Sequence, residues 1–247
     1  EELDACVADT TLVPTGTFWM GCNAALDEQC DGDEFPYHQV YLGGYTIDLT
    51  EVTNAQYASF LTRLEKLGTG NECPYEGAPE ICVSTWADED SLWVALVGGI
   101  WAPLEGKDLH PVGEVTWFGA QAYCEWTGKR LCTEAEFEKA TRGGCELYDD
   151  CEAESWPFPW GPEFGAYNDM YYINGNNHCG GGPSVQGFSP CPVGSTEPGS
   201  PYGAYHLAGN AWEWSADWYA VDYYCNGPDA ACPSSYQCDL CEATDPP

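Results

Sequence analysis

A chain of 247 residues with 40 acidic and 7 basic side chains carries a formal net charge of −33. It lacks the Lys/Arg face that neutralises phosphates and is repelled by anionic lipid, so nucleic-acid binding and charge-driven membrane docking are excluded. With 44% hydrophobic and 14% aromatic residues it is no disordered acidic tail, because that apolar surface offsets chain entropy.

In chain order, strands are predicted at residues 17–20, 39–42 and 45–48. A helix follows over residues 54–67, with Thr53 as N-cap and Gly68 as its stop. Tyr57, Phe60, Leu61 and Leu64 give it an apolar stripe at helical spacing. The segment 92–104 is the longest apolar run, broken by glycines and too short to span a bilayer. A second helix is predicted over residues 117–126, capped by Thr116 and stopped by Gly128. A third runs over residues 134–142, with Thr133 and Glu136 as a capping box and Gly143-Gly144 as its end. Phe137 and Ala140 face inward on it. Short helices among scattered strands, punctuated by 28 glycines and 18 prolines, mean a loop-rich α+β fold.

Fifteen cysteines point to an oxidising compartment. The chain begins at Glu1 without Met or an apolar leader, and reads as a secreted or surface product whose signal peptide is gone. Cys22/Cys30, Cys73/Cys82, Cys145/Cys151 and Cys179/Cys191 each flank a turn and are expected to staple one loop. A closed loop of that size stabilises by about 2–3 kcal/mol on the chain-entropy model. Cys225, Cys232, Cys238 and Cys241 form a tail cluster, read as disulfides rather than as a zinc site or a redox pair. The odd count leaves at least one thiol free, intermolecular or paired with something outside this sequence.

All seven bases lie between Arg63 and Arg142, four of them in residues 129–142. The acidic excess reads as a solvated surface, with a bound cation or a cationic partner as the sharper alternative. His38, His110, His178 and His206 show no metal-ligand spacing, and His110 is read as structural. Asp27, Glu28, Asp31, Asp33 and Glu34 lack the pattern of an EF-hand loop and are read as solvated, ahead of a weak calcium site. Arg130 is expected to be a buried cation satisfied by carbonyls and carboxylates. Trp117, Trp126, Trp160, Trp212, Trp214 and Trp218 are expected to be mostly core, with an aromatic stacking surface as the alternative.

A series of segments carries a resemblance. They are Phe18-Trp19-Met20-Gly21, Tyr45-Thr46-Ile47-Asp48, Glu51-Val52-Thr53-Asn54 and His110-Pro111-Val112. Then come Ala122-Tyr123-Cys124-Glu125-Trp126, Gly128-Lys129-Arg130-Leu131, Tyr202-Gly203-Ala204-Tyr205 and Leu207-Ala208-Gly209-Asn210-Ala211-Trp212-Glu213-Trp214. In this order, over about residues 10–220, they closely resemble the formylglycine-generating enzyme (sulfatase-modifying factor) family. The resemblance implies a loop-rich variant of the C-type-lectin fold over residues 1–220, followed by a cysteine-rich tail at 221–247. Its enzymatic members oxidise a sulfatase cysteine to formylglycine with oxygen and copper. Other members bind ligands, make sulfoxides or are displayed on surfaces, so fold does not fix function.

The resemblance also implies calcium. Glu213 matches a carboxylate ligand, and Gly209 and Ala211 match carbonyl ligands. His206 stands where the family often has Asn. A second calcium site would use Asn168 and Asp169, but its acidic partner between Pro183 and Phe188 is missing. The family's C-terminal Gly-Gly-Ser strand, its copper-binding cysteine pair and its closing Gly-Phe-Arg strand do not occur in these residues, so no catalytic residue is assigned. In some members Cys124 pairs with a cysteine of that closing strand. The expected function is therefore a secreted, disulfide-rich, calcium-stabilised domain without catalysis in this form, serving a protein or glycan ligand or self-assembly. One alternative is a copper-dependent oxidase whose catalytic end lies outside these residues. The other is an adhesin or filament subunit.

Overall fold

The apolar stripe of the first helix organises the largest core. The computed structural model describes residues 8–26, 30–84, 92–159, 161, 190–195 and 199–220. In it α1 (Asn54–Leu67) buries Tyr57, Phe60, Leu61 and Leu64. Thr53 and Gln56 form a reciprocal capping box, and Gly68 ends the helix in the left-handed region at φ 80°. Against this face pack the Cys73–Cys82 disulfide, Val83, Val94, Trp101 and Tyr123. Tyr123 belongs to α2 (Trp117–Trp126), capped by Thr116. Gly119 lets α2 come this close, since a Cβ there would stand 2.0 Å from the Cys82 carbonyl oxygen and 2.4 Å from Tyr57 Oη. Tyr57 donates to that same carbonyl at 3.0 Å.

The strands pair as four separate antiparallel hairpin-like sheets. β1 (Thr10–Val13) pairs with β4 (Tyr45–Asp48), and β2 (Gly16–Met20) with β3 (His38–Leu42). β5 (Glu72–Tyr75) pairs with β6 (Ala78–Ile81), and β7 (Val94–Val97) with β8 (Ile100–Pro103). Period-two alternation puts Phe18, Met20, Val40 and Leu42 on one face, packed on Ala135 of α3 (Glu134–Arg142). Val13 and Ile47 pack with Ala140 of the same helix and with Ala204 and Leu207. α3 is thus shared by two small cores. Its cations hold the N-terminal strands: Lys139, wholly buried, donates to the carbonyls of Pro14 at 2.6 Å and Gly16 at 3.1 Å. Arg142 donates to the Gly21 and Trp156 carbonyls and to Glu138.

The three predicted helices and three predicted strands are present. So are the Cys22–Cys30, Cys73–Cys82 and Cys145–Cys151 disulfides. Cys191 is disulfide-bonded, but the Cys179/Cys191 pairing and the tail cysteines lie outside the described residues, as do Asn168, Asp169, His178 and Trp160. Five strands, β1 and β5 to β8, and the short α4 (Cys151–Glu154) go beyond the sequence prediction. Prolines 74 and 79, opposite each other in β5–β6, hide a hairpin whose Glu76-Gly77 turn has φ 47° and 85°. The glycines that interrupt the 92–104 run are themselves a hairpin turn, Gly98-Gly99 at φ 62° and 82°. Among the described residues, no helix is long and apolar enough to cross a membrane.

Two expectations are corrected. The late tryptophans are not core: Trp212, Trp214 and Trp218 are 103%, 54% and 75% exposed, and Trp117 is half-buried, whereas Trp126 packs against the α1 core through Phe60 and Tyr123 as expected. Their segment is held by polar edge contacts rather than by burying ring faces. Arg130 is not buried, since its side chain is 60% exposed. It is satisfied as expected, by the Leu131 carbonyl and by both carboxylate oxygens of Glu136.

Candidate functional site

Between β4, the C-terminal end of α2 and the start of α3 lies a cavity of about 370 Å³. Asp48, Glu51, Glu136 and Glu213 bring carboxylates to it, Lys129 and Arg130 bring cations, and Cys124 and Cys132 bring thiols. Local sequence places each of these. Asp48 ends β4, and Glu51 lies between it and the α1 cap. Cys124 sits on α2, and residues 128–132 form the short link into the capping box of α3.

The cations are committed. Lys129 pairs with Asp48, and Arg130 holds Glu136 in a two-pronged contact. Burial works to raise the Glu136 carboxyl. The Arg130 guanidinium together with the Thr133 N–H and hydroxyl outweighs it and holds the group below the usual carboxylate range. Burial raises Asp48, and Lys129 only partly opposes it.

Among the described residues, no cation is paired with Glu213. Burial, then the negative charges of Glu51 and Asp48, push its pKa up to about 8. Its side chain keeps solvent access, because it faces the cavity rather than packed protein. Glu51 is itself buried. It accepts from His206 Nδ1 at 3.0 Å and from Asn210 Nδ2 at 2.7 Å. Asn210 also accepts from the Cys191 N–H at 2.7 Å, which ties the turn to that disulfide-bonded residue. His206 and Asn210 occupy the left-handed region at φ 56° and 63°, a conformation glycine prefers. Ala211 N–H donates to the Gly209 carbonyl at 2.8 Å, closing the turn.

Residues 206–213 therefore converge on Glu51, a residue that carried no role in the sequence reading. The Glu-x-x-Asn start of the helix cap was visible there, but nothing local tied it to a turn 155 positions away. The donor set bears on a cation. The carboxylates of Glu51 and Asp48 act on Glu213, and Gly209 and Ala211 precede Glu213 in the same turn, so the groups that could hold a cation are oxygens. His206 departs from that chemistry, because its ring nitrogen is spent on Glu51.

Among the described residues, Cys124 and Cys132 are the free cysteines. Burial, with Asp48 near Cys124 and Glu136 near Cys132, pushes their thiols up to about 11 and about 12. Both are neutral at physiological pH. His110 lies edge-on to Trp93, and burial with nearby Lys107 lowers its pKa. His110 and Pro111 both turn their carbonyls to the Asn54 side chain, and so hold the start of α1.

Residues 2–242 match the family model of the sulfatase-modifying factor enzyme 1-like domain. The formylglycine-generating enzyme of Mus musculus is 33% identical over 232 residues, covering 85% of this chain and 58% of that protein. That of Thermomonospora curvata is 34% identical over 236 residues, covering 86% of this chain and 72% of its own length. The inactive C-alpha-formylglycine-generating enzyme 2 of Bos taurus is 30% identical over 226 residues, covering 84% and 70% respectively. The solved structure of PvdO from Pseudomonas aeruginosa superposes with a TM-score of 0.56 at 23% identity, over 96% of this chain and 80% of that one. This last likeness is one of fold.

Proposed function

Because the chain belongs to the sulfatase-modifying factor enzyme 1-like family, we propose that this stretch of it is a cation-stabilised binding domain rather than a working cysteine oxidase. The reading includes a secreted or surface location and the family's kinship to C-type lectins. Three disulfides suit an oxidising compartment. One observation carries the non-catalytic reading. Among the described residues the free thiols are Cys124 and Cys132, and burial with nearby acids raises both, so neither is a ready thiolate nucleophile at neutral pH, while the Gly-Gly-Ser lead-in and cysteine pair of the family do not occur in this sequence. A relative of 30% identity carries the word inactive in its name, so loss of the oxidation has a parallel among similar proteins.

Calcium belongs to the same reading. Glu213 and Glu51 would hold it with the carbonyls of Gly209 and Ala211, and the ion would neutralise carboxylates that otherwise repel. His206 would serve by orienting Glu51. Asn168 and Asp169 are the proposed second site. Copper would need the cysteine pair that the family supplies at its C-terminal end.

The test is to supply copper, oxygen and a cysteine-bearing sulfatase-type peptide, and to follow the peptide by mass spectrometry. No conversion of cysteine to aldehyde is expected, and conversion would overturn the proposal. A second reading keeps the oxidase. The open cavity, with Cys124 and Cys132 on its wall, suits a further cysteine-bearing segment of a longer polypeptide. The chain spans only 58% of the mouse enzyme's length. The intact mass of the native protein, with its thiols counted, separates the two.

A further inference from the structure

An exposed aromatic face adjoins the cavity, sharing Trp214 with its wall. Residues 214–218 lie across the start of α2. Trp218 stacks on Trp117 with ring centroids 5.7 Å apart, and Trp117 meets Phe118 and Tyr75 edge-on. The polar edges of the indoles are spent inside the protein. Trp117 Nε1 donates to the Ser215 carbonyl at 2.9 Å, and Trp214 Nε1 to the Val115 carbonyl at 2.8 Å. These bonds fix two of the rings and leave outward faces, with Trp218 75% exposed although one face is stacked. A partner would meet π surfaces on which the Trp117 and Trp214 donors are already spent.

The charged groups beside this face are carboxylates, one of which, Glu134, is hydrogen-bonded by the Ser215 side chain. Asp217 lies between the tryptophans in sequence and accepts from the Glu134 N–H at 2.5 Å, which brings it to the N-terminus of α3. There Glu134, Glu138 and Asp217 crowd one another, and burial with these like charges raises the Glu134 carboxyl. The nearby cations are committed elsewhere: Lys129 to Asp48, Arg130 to Glu136, Lys139 to the Pro14 and Gly16 carbonyls, and Arg142 to Glu138. Residues 143–247 contain no lysine or arginine. A sugar is gripped by stacking plus a mixture of donors and acceptors. A face of π surfaces with carboxylates asks for a ligand that only donates and carries positive charge, which describes arginine and lysine side chains.

We propose that the face built by Trp117, Trp214 and Trp218, with Asp217 and Glu134 beside it, docks a basic segment of a partner protein. Arginine or lysine side chains stack on the open indole faces while the carboxylates take their N–H groups. The net charge of −33 draws such a segment in and repels a second copy of this chain. The proposal rests on the reading of this chain as a binding domain and names its partner chemistry.

The test uses the whole protein at 150 mM salt and three probes: a short arginine-rich peptide without cysteine, the same peptide with citrulline for arginine, and a neutral oligosaccharide. Binding is followed by tryptophan fluorescence and calorimetry. The arginine peptide is expected to bind at least about tenfold more tightly than the citrulline peptide. Trp218→Leu, which keeps every charge, is expected to weaken it by about 3- to 30-fold. An unchanged melting curve shows that the variant is folded; if it melts early, protection of Trp218 from oxidation by the bound peptide in the wild type replaces it. Equal binding of citrulline, preference for the oligosaccharide, no binding, or an affinity indifferent to Trp218 each overturns the proposal. Because the probe has no cysteine, its capture is scored separately from any cysteine oxidation.

Discussion

Replacing Glu213 by Gln removes one negative charge from the crowded cavity without changing the shape of the side chain. The carboxyl is raised from 4.5 to about 8, by burial first and by Glu51 and Asp48 next. Between those two pH values the folded protein holds a proton that the unfolded chain has released. Stability therefore falls as pH rises through that window; the cost is absent below about pH 4.5 and complete above about pH 8. Taken whole, a span of about 3.5 pH units is about 5 kcal/mol. Because the side chain keeps solvent access, screening reduces this to about 2 kcal/mol. For a chain of this size that is about 4–8 °C in melting temperature. Thermal unfolding followed by circular dichroism, in chelator and in millimolar calcium, reads it directly. In chelator, Glu213→Gln is expected to melt higher than wild type at pH 8 and the same at pH 4. In calcium at pH 8, wild type is expected to gain more than the variant, because the ion replaces the proton at Glu213. A variant that melts lower in chelator at pH 8, or that gains equally at both pH values, would refute the reasoning.

The other predictions rest on packing and on thiol chemistry. Gly119→Ala forces a Cβ to 2.0 Å from the Cys82 carbonyl oxygen and 2.4 Å from Tyr57 Oη of α1, so α2 must move off both, at a cost of about 2–3 kcal/mol in denaturant unfolding. A loss under 0.5 kcal/mol would show that the two helices are not so tightly apposed. Arg142→Met leaves Glu138 without its cation and the Gly21 and Trp156 carbonyls without their donor, an expected cost of about 3–5 kcal/mol that Lys at this position does not fully recover. In the folded protein at pH 7.5, Cys124 and Cys132 should react slowly with iodoacetamide, and faster as pH rises towards 11 and 12. Fast labelling at neutral pH, mapped to either residue by peptide mass spectrometry, would undo the claim that these thiols are neutral.

Sequence by itself determined whatever depends on neighbours along the chain. The caps at Thr53, Thr116 and Thr133, the stripe of Tyr57, Phe60, Leu61 and Leu64, and the three short-loop disulfides are all local, and all are where the sequence puts them. The Glu76-Gly77 and Gly98-Gly99 turns are local too, but the sequence assigned no hairpin to either, because prolines and a continuous apolar run concealed the strands beside them. The tertiary structure decided what joins distant segments. β1 finds β4 across more than thirty residues, and no alternation in four residues announces that. Glu51 meets His206 and Glu213 because β4, α1 and the 206–213 turn are packed together, and pairwise charge repulsion exists only once they are. The tryptophans make the same point in reverse. Hydrophobicity assigns them to a core, yet Trp117 and Trp214 spend their N–H groups on carbonyls of neighbouring segments, and that geometry turns ring faces outward. A residue's type sets how much burying it would stabilise, but only the chain's path decides whether there is anything to bury it against.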